Sequence, residues 1–143
     1  MNEADPKGEP ALTQADYEAL ANLRYELRRF MAFSTSAAQG AGLPSQQHQA
    51  LLAIKGSPGG QAMTAGLLAE RLLIAPHSAT ELVGRLVDAG LVTRMTDPED
   101  RRRLTLALAP KAEAVLNSLS RIHLKEIRDM APLLIDVLRA LCG

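Results

Sequence analysis

Asp97-Pro98-Glu99-Asp100-Arg101-Arg102-Arg103 sets three consecutive guanidinium groups behind two aspartates. Arginine presents a planar fork of donors that matches phosphate, and it also enters narrow minor grooves. In an extended tip, residues i and i+2 project to the same side. That spacing pairs Asp100 with Arg102, so the carboxylate can brace the guanidinium by a charge-assisted bond and aim it. Arg101 and Arg103 then turn towards flanking phosphates or the strand edge. The plain alternative is a charged hairpin that only blocks edge pairing.

A second group precedes it. From Pro76 to Ala89, Ala79, Leu82, Val83 and Leu86 fall on one helical face. His77, Glu81, Gly84, Arg85 and Asp88 fall opposite, with Ser78 and Thr80 on the flanks near the N-terminal end. Ser, Thr and His side chains can hydrogen-bond bases or phosphates, and a recognition helix offers its N-terminal residues to base edges. Pro76, His77, Ser78, Thr80, Glu81 and Arg85 are therefore the candidate contacts on this helix. The alternative is the solvated polar face that most amphipathic helices carry.

Other chemistry finds little support. No nucleophile stands beside a base, so no catalytic residue is assigned and an enzyme is not expected. Gly56-Ser57-Pro58-Gly59-Gly60 lacks the lysine and spacing of a phosphate loop. His48, His77 and His123 fall on different predicted helices without paired ligand spacing, so no metal and no cofactor are expected. The one cysteine, Cys142, rules out an internal disulfide and reads as inert rather than as a redox sensor.

The elements that must position these groups follow from periodicity and punctuation. Residues 1–12, with Pro6, Gly8 and Pro10, read as a disordered tail. Thr13 caps a first helix, helped by Asp16 at its first turn. Tyr17, Leu20, Leu23, Leu27, Phe30, Met31 and Ser34 recur along it at three and four, and Gly40-Ala41-Gly42 stops it near Gln39. Pro44-Ser45 opens a second helix with Ala50, Leu51 and Ile54 inside. Thr64 caps a third, carrying Leu67, Leu68, Arg71 and Leu72. Pro76 starts the fourth, which ends at Gly90.

Two strand-like runs follow, Leu91 to Met95 and Leu104 to Leu108, the second with Leu104, Leu106 and Leu108 on one face. Asp-Pro between them marks the hairpin tip. Pro110 opens a long helix through Val115, Leu116, Leu119, Ile122, Leu124, Ile127 and Met130. Ala131-Pro132 is expected to break it, leaving Leu133, Leu134, Val137, Leu138 and Leu141 on a last helix.

Three short helices and a hairpin make the winged helix-turn-helix plan. The fold class is thus mainly α, an α+β winged helix-turn-helix flanked by N- and C-terminal dimerisation helices. The expected division is 13–42 with 110–143 as the dimerisation region and 43–109 as the reading region. The flanking helices carry more apolar surface than a small head can cover, and a second subunit is the simplest cover.

Bulk composition agrees with this plan. The chain has 143 residues, 47% hydrophobic and 22% charged, with 3% aromatic residues and no Trp. Such a chain builds one aliphatic core. Sixteen basic and sixteen acidic residues cancel, so DNA must be held by local clusters rather than a global field. No apolar run reaches the roughly 18–20 residues that span a bilayer. The N-terminus shows no apolar signal segment, and the expected location is the cytoplasm.

Leu68-Ala69-Glu70-Arg71-Leu72, Pro76 to Leu86, Ala89-Gly90-Leu91-Val92-Thr93-Arg94 and Asp97 to Arg102 together resemble the MarR family of bacterial transcription regulators. So does Pro44-Ser45-Gln46-Gln47-His48-Gln49-Ala50-Leu51-Leu52. The Asp-Arg-Arg stretch after Gly-Leu-Val is the more specific part, and the likeness extends from about Tyr17 to the end. The resemblance implies a homodimer held by the terminal helices on a pseudo-palindromic operator in double-stranded DNA, usually as a repressor. It also implies release by a small aromatic or anionic effector. Phe30, Phe33 and His48 are the residues suited to that crevice.

Four departures stand out. Ala75 replaces a common capping Ser, and Gly84 a common Asp. Ala109 and Ala112 replace the usual Thr and Gly after the second strand. Gly84 lowers helix propensity by about 1 kcal/mol relative to Ala. The competing view is a helical protein-interaction module whose wing does not bind DNA.

Overall fold

The computed structural model describes residues 8–143. Their elements run α1 (Gln14–Gly40), α2 (Ser45–Lys55), a 3-10 turn (Pro58–Gly60), α3 (Ala65–Leu72), α4 (Pro76–Asp88), β1 (Val92–Thr96), β2 (Leu104–Leu108) and α5 (Pro110–Cys142). This is a mainly helical winged helix-turn-helix with one two-stranded antiparallel sheet. Of the N-terminal stretch expected to be a tail, residues 1–7 lie outside the described residues.

Helix starts follow local chemistry. Thr13 and Asp16 form a reciprocal pair, Thr13 N donating to Asp16 Oδ2 at 2.8 Å and Asp16 N to Thr13 Oγ1 at 3.2 Å. Thr64 Oγ1 accepts from Leu67 N at 3.2 Å and caps α3. At α4 the N-cap is Ala75, with no side-chain bond, and Pro76 supplies the preset φ of the first turn.

Helix ends share one device. After α1, Gly42 has φ 80° and Leu43 N reaches back to Ala38 O at 2.9 Å. After α4, Gly90 has φ 72° and Leu91 N reaches Leu86 O at 2.9 Å. Each is a six-to-one bond over a left-handed residue, which satisfies a carbonyl that the helix leaves open. After α3 the same motif stands on a leucine. Leu73 has φ 56°, and Ile74 N donates to Ala69 O at 3.0 Å. Leu43 and Leu91, the residues beyond the two glycines, are buried, and Ile74 packs partly buried on the core.

The chain divides into two compact units, one formed by the described residues up to Ser34 with His123–Gly143, the other by Thr35–Ile122. The divisions fall inside α1 and α5 rather than at 42 and 110. In the 35–122 unit, Leu51, Met63, Leu68, Leu82, Leu86 and Leu119 fill the centre, all essentially without exposed surface. Burying side chains of this size stabilises by about 1.5–3 kcal/mol each before chain entropy is charged. Lys55 pairs with Glu113 at 3.0 Å, and Lys111 Nζ donates to Ala89 O at 3.2 Å, so both α2 and the end of α4 are tied to the start of α5.

In the other unit the inward line of α1 runs through buried Ala19, Glu26 and Ser34, with Leu23, Phe30 and Phe33 partly buried. Tyr17, Leu20, Leu27 and Met31 are exposed. The single stripe read along α1 is therefore two faces, one inward and one open. Glu26 lies 3.4 Å from Arg29, which neutralises a carboxylate on the inward line. On α5, His123 and Met130 are buried, while Leu124, Ile127, Leu133, Ile135 and Leu138 are exposed.

Pro132 does not end the helix. α5 continues through it to Cys142, so the expected two C-terminal helices are one. Proline removes one backbone donor and crowds the preceding turn, at about 3 kcal/mol. A 33-residue helix keeps its remaining ladder on both sides, and the apolar line through Met130, Leu134, Val137 and Leu141 stays in register across the site.

Candidate nucleic-acid interface

α4 is set by its inner face. Ala79, Leu82, Val83 and Leu86 are buried, as the spacing predicts. The opposite side follows from that anchoring. Pro76, His77, Thr80, Glu81 and Arg85 are exposed, and Ser78 is partly buried. Thr80 Oγ1 donates to Pro76 O at 3.2 Å, which uses its proton inside the helix and leaves its lone pairs outward. This surface offers donors and acceptors of both kinds along two turns.

The hairpin pairs Val92 with Leu108, Arg94 with Leu106 and Thr96 with Leu104. Cross-strand partners share a face. Val92 and Leu106 are buried, Leu108 is partly buried and Leu104 is half exposed, so contact with the core fades towards the tip. Met63, just before α3, forms an isolated bridge with Leu106, whose N–H donates to Met63 O at 2.8 Å. Nothing in the residue pattern signals that bond, because Met63 lies in a stretch without alternation.

At the tip, two carboxylates fold the loop. Asp97 Oδ1 accepts from Glu99 N at 2.9 Å, and Asp100 Oδ1 accepts from Arg102 N at 3.0 Å. These are successive Asx turns, which replace glycine as the turn-maker. The expected brace between the Asp100 and Arg102 side chains is therefore corrected. Asp100 holds the backbone of Arg102, and the ion pair at the tip joins Asp97 to Arg103, at 4.0 Å. The reason is local. Tip amides lack ladder partners and must be satisfied, whereas an exposed ion pair contributes only about 0–1 kcal/mol. Arg101 and Arg102 are exposed, and no carboxylate among the described residues lies within 4.0 Å of either guanidinium.

The effector candidates fall in different units. Phe30 and Phe33 come together around His123, with ring centroids at 6.0 and 5.5 Å and edge-on geometry. His123 Nε2 lies 2.8 Å from Ser34 Oγ, both buried. His48 is buried on α2 in the 35–122 unit. No sequence signal links His123 on α5 to Phe30 and Phe33 on α1, because no periodicity relates residues on two helices so far apart in the chain. Among the described residues no group of three His, Cys, Asp or Glu side chains could hold a metal ion, and no helix is long and apolar enough to cross a membrane.

The arrangement defines a winged helix-turn-helix with an exposed polar helix and a basic wing. Residues 41–103 match the model of the MarR family, a little under half of the chain. The uncharacterized HTH-type transcriptional regulator YcgE of Bacillus subtilis (strain 168) is 39% identical over 79 residues, covering 54% of this chain and 49% of that protein. The chain spans about half the length of the curated relatives it matches. A MarR family protein from Bacillus stearothermophilus shares the fold at TM-score 0.71 and 20% identity, over 84% of this chain and 82% of that one. The transcriptional repressor CouR, solved bound to a 23-mer DNA duplex, aligns at TM-score 0.63 and 22% identity, over 85% and 89% of the two chains.

Proposed function

We propose that this protein is a sequence-specific DNA-binding transcriptional regulator. It acts as a homodimer on a pseudo-palindromic operator, as a repressor. The observation that carries this reading is the pairing of an exposed polar N-terminal half of α4 with a wing tip whose Arg101 and Arg102 guanidiniums have no carboxylate partner among the described residues. Charges left unpaired on a folded tip suit phosphate or a narrow minor groove. In this reading Pro76, His77, Ser78, Thr80, Glu81 and Arg85 face the major groove. Arg101 and Arg102 face the backbone and minor groove, with Asp100 and Arg103 holding the tip in shape.

The test is a mobility shift with the DNA flanking the protein's own gene. Arg102→Ala is expected to weaken specific binding by about 1–3 kcal/mol with the fold intact. Wild-type affinity in the folded variant removes the wing from the interface.

The homodimer draws support from the apolar residues left exposed along α1 and α5, among them Leu20, Leu27 and Met31 on the first and Leu124, Ile127 and Leu138 on the second. Release by a small aromatic or anionic effector is part of the same proposal. Phe30, Phe33 and the His123 imidazole offer an aromatic wall beside a hydrogen-bonding group.

A further inference from the structure

Gly84 sits in the middle of α4, where glycine weakens a helix. Its backbone is ordinary right-handed helix, so no positive φ requires it. Its use is therefore spatial. A Cβ built at this position meets one neighbour within 4 Å, the Arg94 Nη2 at 4.0 Å. The space that a longer side chain would take is where the guanidinium lies.

Arg94 reaches that notch from β1. It is paired with Leu106 and shares the face of buried Val92, yet it is itself exposed. An arginine on the core-facing side of a ribbon runs its aliphatic stem over apolar surface and brings its head out to water. Here the head emerges over the exposed stripe of α4 that holds His77, Glu81 and Gly84. Among the described residues no carboxylate lies within 4.0 Å of it, Glu81 and Asp88 on the same stripe included. The result is a full positive charge laid across the polar face of the recognition helix, delivered by a different element.

Position along the helix decides what this charge meets. Gly84 lies seven residues past His77, about 10 Å along the axis at the usual rise. The first turn of a recognition helix faces base edges, so a group two turns further on stands beside the wall of the groove. That wall is phosphate, which a guanidinium binds through two parallel bonds.

We propose that Arg94 is a further DNA contact of this protein, a phosphate clamp presented from β1 through the notch at Gly84. The inference rests on the DNA-binding reading above. It adds a contact that helix and wing-tip residues alone do not supply, and it makes Gly84 a positioning residue.

The experiment measures binding by fluorescence anisotropy across a salt series, using the flanking-gene duplex and a random duplex of equal length. Arg94→Ala is expected to weaken both about 5–10-fold and to reduce the slope of log affinity against log salt by about 1. Gly84→Asp sets a carboxylate against the guanidinium and gives the same loss, while Gly84→Ala, an ordinary contact, stays within about twofold. Combining Gly84→Asp with Arg94→Ala adds less than the sum of the two. Because Gly84→Asp leaves β1 untouched, it carries the test if Arg94→Ala disturbs the strand. Wild-type affinity and slope in both single variants, with Arg102→Ala still impaired, overturns the clamp alone. A wild-type chain that binds neither duplex at low salt overturns the DNA reading and the clamp with it.

Discussion

Replacing Leu73 by glycine should stabilise this protein, against the usual direction for a leucine lost from a helix end. Leu73 holds φ 56° and ψ 44°, the left-handed region, with 92% of its surface exposed. A side chain in that region costs about 1–2 kcal/mol through the clash of Cβ with the following carbonyl. Glycine removes the clash but adds about 0.5–1 kcal/mol of backbone entropy lost on folding. The leucine side chain returns almost nothing, since a fully buried one is worth only about 1.5–3 kcal/mol and this one is nearly all in water.

The balance favours Leu73→Gly by about 0.5 kcal/mol, a rise of about 2 °C in Tm for a chain of this size. Differential scanning calorimetry reads it directly. Leu73→Ala is the control, because alanine keeps the Cβ and should leave Tm unchanged. A lower Tm for Leu73→Gly refutes the strain argument. An equal rise for both variants refutes it too, since the gain would then come from removing an exposed leucine.

Leu86 tests the opposite side of the same motif. It has no exposed surface, and Leu86→Ala should cost about 3–4 kcal/mol, lowering Tm by about 10 °C; a loss under about 1 kcal/mol would mean that α4 is not anchored through this face. Sedimentation at micromolar concentration should show a dimer, and Leu27→Glu, on the open face of α1, should shift it to monomer without unfolding the 35–122 unit. A wild-type monomer at that concentration would sink the dimer.

The helix-turn-helix was legible because its punctuation is chemical. Thr64 and Pro76 announce helix starts, and Gly42 and Gly90 announce ends, each through a backbone property of the residue itself. The end of α3 was not marked, because the identical bonding pattern there stands on Leu73, a residue with no preference for φ above zero. Pro132 misled for the converse reason. Its local penalty is real, but a long helix with one continuous apolar line overrides it. Period two was enough to pair Asp100 with Arg102 on one side of the tip, but it assumes an extended backbone. The two Asx turns curl that backbone, so the carboxylate found an amide instead of a guanidinium. The ring contacts of His123 with Phe30 and Phe33, and the notch that Gly84 leaves for Arg94, depend on residues distant in sequence, for which no periodicity speaks.

The bond from Leu106 N to Met63 O gives the wing a fulcrum. Below it the ribbon opens only together with the core that holds Met63 and Leu106, so the Leu106 amide should exchange as slowly as the helices around it. Above it, Leu104 is half exposed and Thr96 lies open, so the tip is held by its own turns rather than by the core, and its amides should exchange faster. If the proposed function holds, a wing built this way would fit its arginines to grooves of differing width, while the base that sets its direction stays fixed to α3 through Met63.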